Sequence, residues 1–390
     1  MSEKKVLIVG GTGYLGQHLL QGFTEVLHSL PYSLLLAFTY HSNPPSKPLL
    51  DGIPQALPFH VDLRTGHGFD AISKNLGQPD VVINCAALSI PRACEADPEA
   101  ALAINVPYAL VRWLSSFDEN KTFLIHLSTD QVYEGTKSFY KEEDETIPVN
   151  AYGKSKVVAE QLILTNCTNF AILRSSIIFG PQTISPVPKS LPIQWIDSVL
   201  AKGEKMDFFH DEFRCPVYVR DLVTIIQTLT NGWISESKPM QLLVNVGGPD
   251  RVSRVQMAEA VAEIRGYKAS INPVSSSSKL KMLPNATFAS APFISKIWHY
   301  LVRTLPLISM TLRNLQILKG ERESIWGPQF TRTMWRAARS AVSSLRRRRC
   351  SRWYSTAIPG PCIVHKRGAD ILHDPWFNKV WPFAIISALQ

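Results

Sequence analysis

Apolar residues in the first 175 positions fall into short unbroken runs, and stretches with helical spacing separate them. Residues 6–9, 33–39, 56–61, 80–84, 122–127 and 170–173 read as strands. Residues 14 to about 27, 98–114 and 152–164 read as helices, with Ala101, Ile104, Ala109 and Trp113 on one face of the second. Strands that are apolar at nearly every position are buried on both sides. Alternating with helices, they predict an α/β fold with a doubly wound parallel sheet. After Ser175 the rhythm changes. Pro181, Pro186, Pro188 and Pro192 punctuate a loop-rich stretch, and helices then follow at 193–202, 221–230 and 253–265 with strands at 207–210 and 242–246. This predicts a main domain over 1–175, a smaller and partly interleaved one over 176–274, and an irregular tail over 275–390.

The first strand runs straight into Gly10-Gly11-Thr12-Gly13-Tyr14-Leu15-Gly16, which opens the first helix. Strand, glycines and helix in that order carry a specific chemistry. Gly10 allows a tight turn, Gly13 lets a pyrophosphate approach the backbone, and Gly16 lets the helix pack close to the strand. The unpaired N–H groups at the helix start then face the phosphates. The main domain is therefore expected to bind a dinucleotide. Asp62-Leu63 after the third strand is placed to meet an adenine, and a turn cap explains Asp62 equally well. The small residues of Asn84-Cys85-Ala86-Ala87 would let a flat cofactor lie on the backbone, and tight packing of a turn is as natural a reason for them.

Two further segments suggest catalysis. Ser128-Thr129-Asp130 ends the fifth strand, at the sheet edge where ligands bind. Tyr152-Gly153-Lys154-Ser155-Lys156 starts a helix, and Tyr152 and Lys156 share one of its faces. An ammonium beside the phenol is expected to lower its pKa. Tyr152 then exchanges a proton with a carbonyl or alcohol oxygen that Thr129 also contacts.

Together these residues resemble the extended short-chain dehydrogenase/reductase family. Within it they are similar to dTDP-4-dehydrorhamnose reductases and to the regulatory β subunits of methionine adenosyltransferase. The matching stretches lie at 10–16, 61–63, 84–88, 128–135, 151–161 and 174–181, and the resemblance runs from residue 4 to about 274. It implies Tyr152 as proton donor, Lys156 as its electrostatic partner and ribose ligand, and Thr129 as hydroxyl partner. Asp130 completes the subgroup's Ser-Thr-Asp motif, and Asn105 is implied to help position the lysine. The segment from Arg214 to Leu222 resembles the family's substrate segment. The Arg214 fork suits diphosphate oxygens, and Asp221 reads as a helix cap or anchor. Val217 stands where this subgroup has threonine, which weakens transfer of sugar specificity.

The resemblance implies a reductase of a 4-keto nucleotide sugar, or alternatively a non-catalytic regulatory subunit that partners a methionine adenosyltransferase; whether the chain is an enzyme stays open. A homodimer is compatible with either. The second strand ends Phe38-Thr39-Tyr40-His41-Ser42-Asn43 with no acid, while His41 and Lys47 are available to a 2′-phosphate. The expected cofactor is therefore NADP, with NAD the alternative.

Charge and cysteines refine the outline. The net charge of +9 comes from the tail, where residues 279–390 hold 18 Lys/Arg against 4 Asp/Glu. The rest carries 23 basic and 28 acidic residues, so no nucleic-acid partner is expected for the folded part. The tail also holds six of the nine tryptophans but no sustained period, and reads as a poorly ordered extension or out-of-frame sequence. The cysteines at 85, 94, 167, 215, 350 and 362 show no metal-binding spacing and fit a reducing compartment. A strand starting by residue 5 and the lack of a long apolar run predict a cytoplasmic protein without a transmembrane segment.

Overall fold

The computed structural model describes residues 3–117, 121–187, 191–236, 238–268 and 270–276. Pro188, Cys350, Cys362 and the basic tail from residue 277 onward lie outside the described residues.

Chain order begins β1 (Glu3–Val9), α1 (Tyr14–Val26), β2 (Ser33–Tyr40), α2 (Lys47–Gly52), β3 (Leu57–His60), α3 (Phe69–Asn75) and β4 (Val81–Asn84). It continues α4 (Pro91–Ala96), α5 (Pro98–Asn105), α6 (Tyr108–Leu114), β5 (Phe123–Thr129), α7 (Ala151–Asn166), β6 (Phe170–Ser175) and β7 (Ile178–Phe179). Then come α8 (Pro192–Leu200), β8 (Met206–Phe209), β9 (Phe213–Arg214), β10 (Val217–Tyr218) and α9 (Val219–Glu236). The last described elements are β11 (Gln241–Val246), β12 (Val252–Ser253), α10 (Arg254–Arg265) and β13 (Ile271–Val274).

Seven strands form one parallel sheet in the order β11-β6-β5-β4-β1-β2-β3. The chain winds outward from β1 in one direction and then, from β4, in the other. The order reverses between β1 and β4, and the crevice outside their carboxyl ends is where such sheets bind ligands. Alternation along each strand feeds two cores. Val6 and Ile8 join Leu19, Phe23, Leu222 and Trp233 on the face covered by α1 and α9. Leu7 and Val9 join Phe69, Ile72, Leu110 and Ile163 on the face covered by α3, α6 and α7. All four β1 residues are fully buried, which is why the strand reads as an unbroken apolar run.

The helix expected over 98–114 is two helices. α5 stops at Asn105, Val106 is extended (φ −85°, ψ 110°), and α6 starts after Pro107. Proline lacks an amide hydrogen and pushes the residue before it out of the helical region. Three short helices, α2, α3 and α4, were not foreseen. The strand expected at 242–246 is β11, and it pairs with β6 in the large sheet.

Three two-stranded pairings, β7 with β10, β9 with β12 and β8 with β13, lie outside the large sheet, where α10 packs on α8. A capping box starts α10: Ser253 Oγ accepts the Gln256 N–H at 3.1 Å, and Gln256 Oε1 accepts the Ser253 N–H at 2.8 Å. Ser253→Ala should cost about 1 kcal/mol, read as a lower urea midpoint with an unchanged slope.

Candidate functional site

The carboxyl ends of β1, β2, β4, β5 and β6 border a cleft of about 1050 Å³. That is just above the usual range for small-molecule sites, roughly 300–1,000 Å³. Its floor begins with the glycine turn. Gly10 has φ +85°, and a Cβ there would stand 2.9 Å from Ala86. A Cβ on Gly16 would collide with the Gly10 carbonyl, so α1 can sit this close to the strand only with glycine there. Gly13 is the N-cap of α1, makes no side-chain cap, and no acid occupies the first turn. Gly13, Tyr14 and Leu15 line the cleft, so the amide end of the helix is open to an anion. This cradle fits a pyrophosphate.

The opposite wall is tied to the same helix. Tyr14 donates its hydroxyl to the Pro181 carbonyl at 2.9 Å. Gln17 donates to the Ser185 carbonyl at 3.0 Å and accepts the Ser185 N–H at 2.9 Å. Burial pushes the Tyr14 phenol upward, so it stays a donor.

At one end of the cleft, Asp62 makes a two-pronged pair with Arg64 at 3.0 and 2.8 Å and accepts the Arg64 N–H. The Arg64 hydrogen bonds are the main reason its carboxyl falls to about 2. His41 Nε2 lies 3.8 Å from the same carboxylate. Tyr40, His41, Ser42 and Asn43 line this end, whereas Lys47 points its ammonium at Asp51 at 2.7 Å. Arg64 was missed in the sequence, because a cation two residues past a strand carries no signal alone.

Leu63, Cys85, Ala86, Ala87, Thr129, Asp130 and Tyr152 line the cleft together with Gly10 and Thr12. Thr129 hydrogen-bonds the Tyr152 phenol, and Asp130 acts on it electrostatically. The expected lowering of the Tyr152 pKa does not occur. Burial first, and then the Asp130 charge, push it up; the Thr129 hydrogen bond and Arg214 only partly offset them. The phenol is therefore protonated at neutral pH. The expected ammonium partner is engaged elsewhere: Lys156 Nζ lies 2.8 Å from His126 Nε2, and both side chains are fully buried. Burial brings Lys156 down to about 7, against the opposing pull of Glu160 and then Cys85.

Asn105 ties the loop after β4 to α7. It accepts the Leu88 N–H at 2.7 Å and donates to the Leu88 carbonyl and to Ser155 Oγ, next to the lysine rather than on it. Arg214 does not line the cleft, which corrects the expected diphosphate contact. Its fork is consumed by Asp130 at 2.9 Å and Glu212 at 3.1 Å. Burial pushes Glu212 up, but Arg254 and Arg214 outweigh it and bring the carboxyl to about 2. An alternating chain Arg254–Glu212–Arg214–Asp130 therefore runs from α10 to the cleft. Asp130 Oδ2 is left buried without a hydrogen-bond partner among the described residues. A buried acceptor of that kind is one that a water, an ion or a ligand would satisfy.

Among the described residues no cluster of three or more His, Cys, Asp or Glu is placed to hold a metal, and no helix is long and apolar enough to cross a membrane. The described cysteines, Cys85, Cys94, Cys167 and Cys215, are free thiols.

A glycine turn at the switch point of a parallel sheet, with Tyr-x-x-x-Lys on the helix after β5, defines an extended short-chain dehydrogenase/reductase fold. The chain belongs to the RmlD substrate binding domain family, whose sequence model matches residues 4–290 and so continues past residue 274, where the resemblance read from the sequence ends. It is 29% identical over 270 residues to the probable low-salt glycan biosynthesis reductase Agl14 of Haloferax volcanii, covering 68% of this chain and 81% of that protein. It is also 29% identical over 203 residues to methionine adenosyltransferase 2 subunit beta of Pongo abelii, covering 51% of this chain and 59% of that subunit. Among solved structures, a dTDP-4-dehydrorhamnose reductase from Bacillus anthracis in complex with NADP shares the fold at a TM-score of 0.56 and 20% identity, over 75% of this chain and 91% of that one. A UDP-glucuronic acid 4-epimerase from Bacillus cereus in complex with UDP-glucuronic acid and NAD does so at 0.61 and 20%, over 77% and 94%.

Proposed function

We propose that this chain is an NADP-linked reductase of a 4-keto nucleotide sugar. One observation carries the reading: Tyr152, Thr129 and Asp130 line the same cleft as the glycine turn. The family match and the Haloferax reductase support a sugar-directed oxidoreductase. Residues 10–16 would hold the dinucleotide phosphates, and Leu63 with Cys85, Ala86 and Ala87 would lie against its rings. When bound, the dinucleotide supplies the hydride.

The chain's own residues then do four things. Tyr152, kept protonated by burial, gives its proton to the sugar carbonyl oxygen. Thr129 holds the phenol in place. Asp130 Oδ2 accepts a sugar hydroxyl, while Arg214 fixes its other oxygen. The segment around Ser185, held by Gln17, forms a wall of the cleft.

The NADP preference rests on charge. Residues 40–46 at the end of β2 contribute no carboxylate to the cleft wall, whereas His41 and Arg64 flank it. Swinging from Asp62 to a 2′-phosphate keeps the Arg64 guanidinium paired with an anion. Arg64→Ala should weaken NADPH binding by about tenfold, with NADH affinity changed by less than about twofold in fluorescence titrations. Equal losses for both would remove the NADP assignment.

A second reading, a dinucleotide-binding regulatory subunit of methionine adenosyltransferase, is favoured by the similarity to its beta subunits, which spans about 59% of their length. One screen separates the two: NADPH oxidation across 4-keto nucleotide sugars, using protein whose C-terminus is verified by intact mass. Turnover with any of them supports the reductase. No turnover, together with co-purification of the transferase, supports the regulator.

A further inference from the structure

Lys156 and His126 are each fully buried, and their nitrogens are 2.8 Å apart. The proton between them can be assigned from the surrounding network. His126 Nδ1 lies 3.2 Å from Asn84 Nδ2. The Asn84 Oδ1 accepts the backbone N–H of Ala86 at 3.3 Å, which turns the amide so that its NH2 faces the imidazole. Asn84 therefore donates to Nδ1. Burial, and secondarily the Lys156 charge, hold the His126 pKa well below its ordinary value. The ring is neutral, with its single proton on Nε2. That Nε2–H points at Nζ. An ammonium has no lone pair to receive it, whereas an amine has one.

We propose that His126, fixed by Asn84, is a positioning residue that holds Lys156 as a neutral amine in the cofactor-free protein. The other groups facing the amine do not reverse this. Glu160 on α7 favours the charged form, but its carboxylate is committed to Arg174 and Ser128. Cys85 after β4 is pushed by burial to about 12 and is a neutral thiol. Tyr152, one turn away on α7, is a neutral phenol. The buried cation that a Tyr-x-x-x-Lys pair would otherwise carry is thus avoided, which spares the cost of desolvating it. The consequence for catalysis rests on the reading of Tyr152 and Lys156 given above; the protonation state does not.

The test uses the full cofactor-free chain. Long-range proton–nitrogen spectra of histidine-labelled protein read the His126 tautomer, identified by its loss in His126→Gln. Carbon spectra of lysine-labelled protein read the Lys156 charge, identified by its loss in Lys156→Met. Above about pH 8, where Lys156 is an amine, the expected tautomer carries its proton on Nε2. The Lys156 signal should titrate with a midpoint near 7. In His126→Gln, whose amide oxygen can accept from an ammonium, that midpoint should rise by about one pH unit or more. A proton on Nδ1 above about pH 8, a Lys156 signal that stays ammonium above about pH 9, or an unmoved midpoint in His126→Gln overturns the proposal. If His126→Gln does not fold, the tautomer is assigned by elimination from single substitutions of the other histidines, and the two wild-type signals decide. None of these readouts needs turnover, so a protein that proves to be a regulator leaves the test intact.

Discussion

Tyr152→Phe is expected to lower turnover of a 4-keto nucleotide sugar by a factor of about 10² or more while NADPH affinity changes by less than about twofold. The substitution deletes one oxygen and keeps the ring, which packs against Cys94 and Ala101 with Leu88 beside them. No cavity opens, so the fold should tolerate it. What disappears is the phenol proton that Tyr152, kept in its acid form by burial, presents to the carbonyl oxygen. The Thr129 hydroxyl remains, but its pKa is far too high for it to replace a phenol as donor. Steady-state kinetics with NADPH as the reporter, beside a fluorescence titration of cofactor binding, check both halves. Unchanged turnover would remove Tyr152 from the role of proton donor. A matched loss of cofactor binding would mean that the phenol holds the dinucleotide rather than the substrate.

The parts of this site that local spacing encodes were legible in the sequence. A glycine turn and a Tyr-x-x-x-Lys helix are each confined to a few residues, and the chemistry dictates the spacing. The break at Pro107 was also local, and helical periodicity on both sides of it masked a proline that ends one helix before the next begins. The partnerships that decide protonation were not legible, because sheet register sets them. Asn84 and His126 are direct neighbours on β4 and β5, and Ser128 faces Arg174 across β5 and β6. Those pairings join residues 42 and 46 positions apart, and no single-sequence pattern specifies them. Arg214 shows the same limit. A guanidinium beside a proline-containing loop looks free for a diphosphate until the fold brings Asp130 and Glu212 to it.

Glu160→Gln should destabilise the protein by about 3–5 kcal/mol, the usual cost of stranding one member of a buried ion pair. Tyr152, Lys156 and Glu160 lie four residues apart along one stripe of α7, and each is held by a different neighbour. Glu160 meets Arg174 through Nε at 3.1 Å and Nη2 at 2.7 Å, and it also accepts the Ser128 hydroxyl. Arg174 goes on to the Tyr133 hydroxyl at 2.7 Å, which itself reaches Asn245 on β11 at 2.7 Å. Side chains thus clamp β5, α7, β6 and β11 beneath the cleft, with the ion pair 5% and 3% exposed. Glutamine keeps the shape but leaves the guanidinium uncompensated in a dry interior. Replacing both partners, Glu160→Leu with Arg174→Met, removes both desolvation costs and should recover a large part of the loss. Urea midpoints of the two single variants and the double variant give the coupling directly. A loss below about 1 kcal/mol in Glu160→Gln would mean that water reaches the pair. The helix carrying Tyr152 would then be held by its apolar face and by the Asn105–Ser155 and Lys156–His126 contacts.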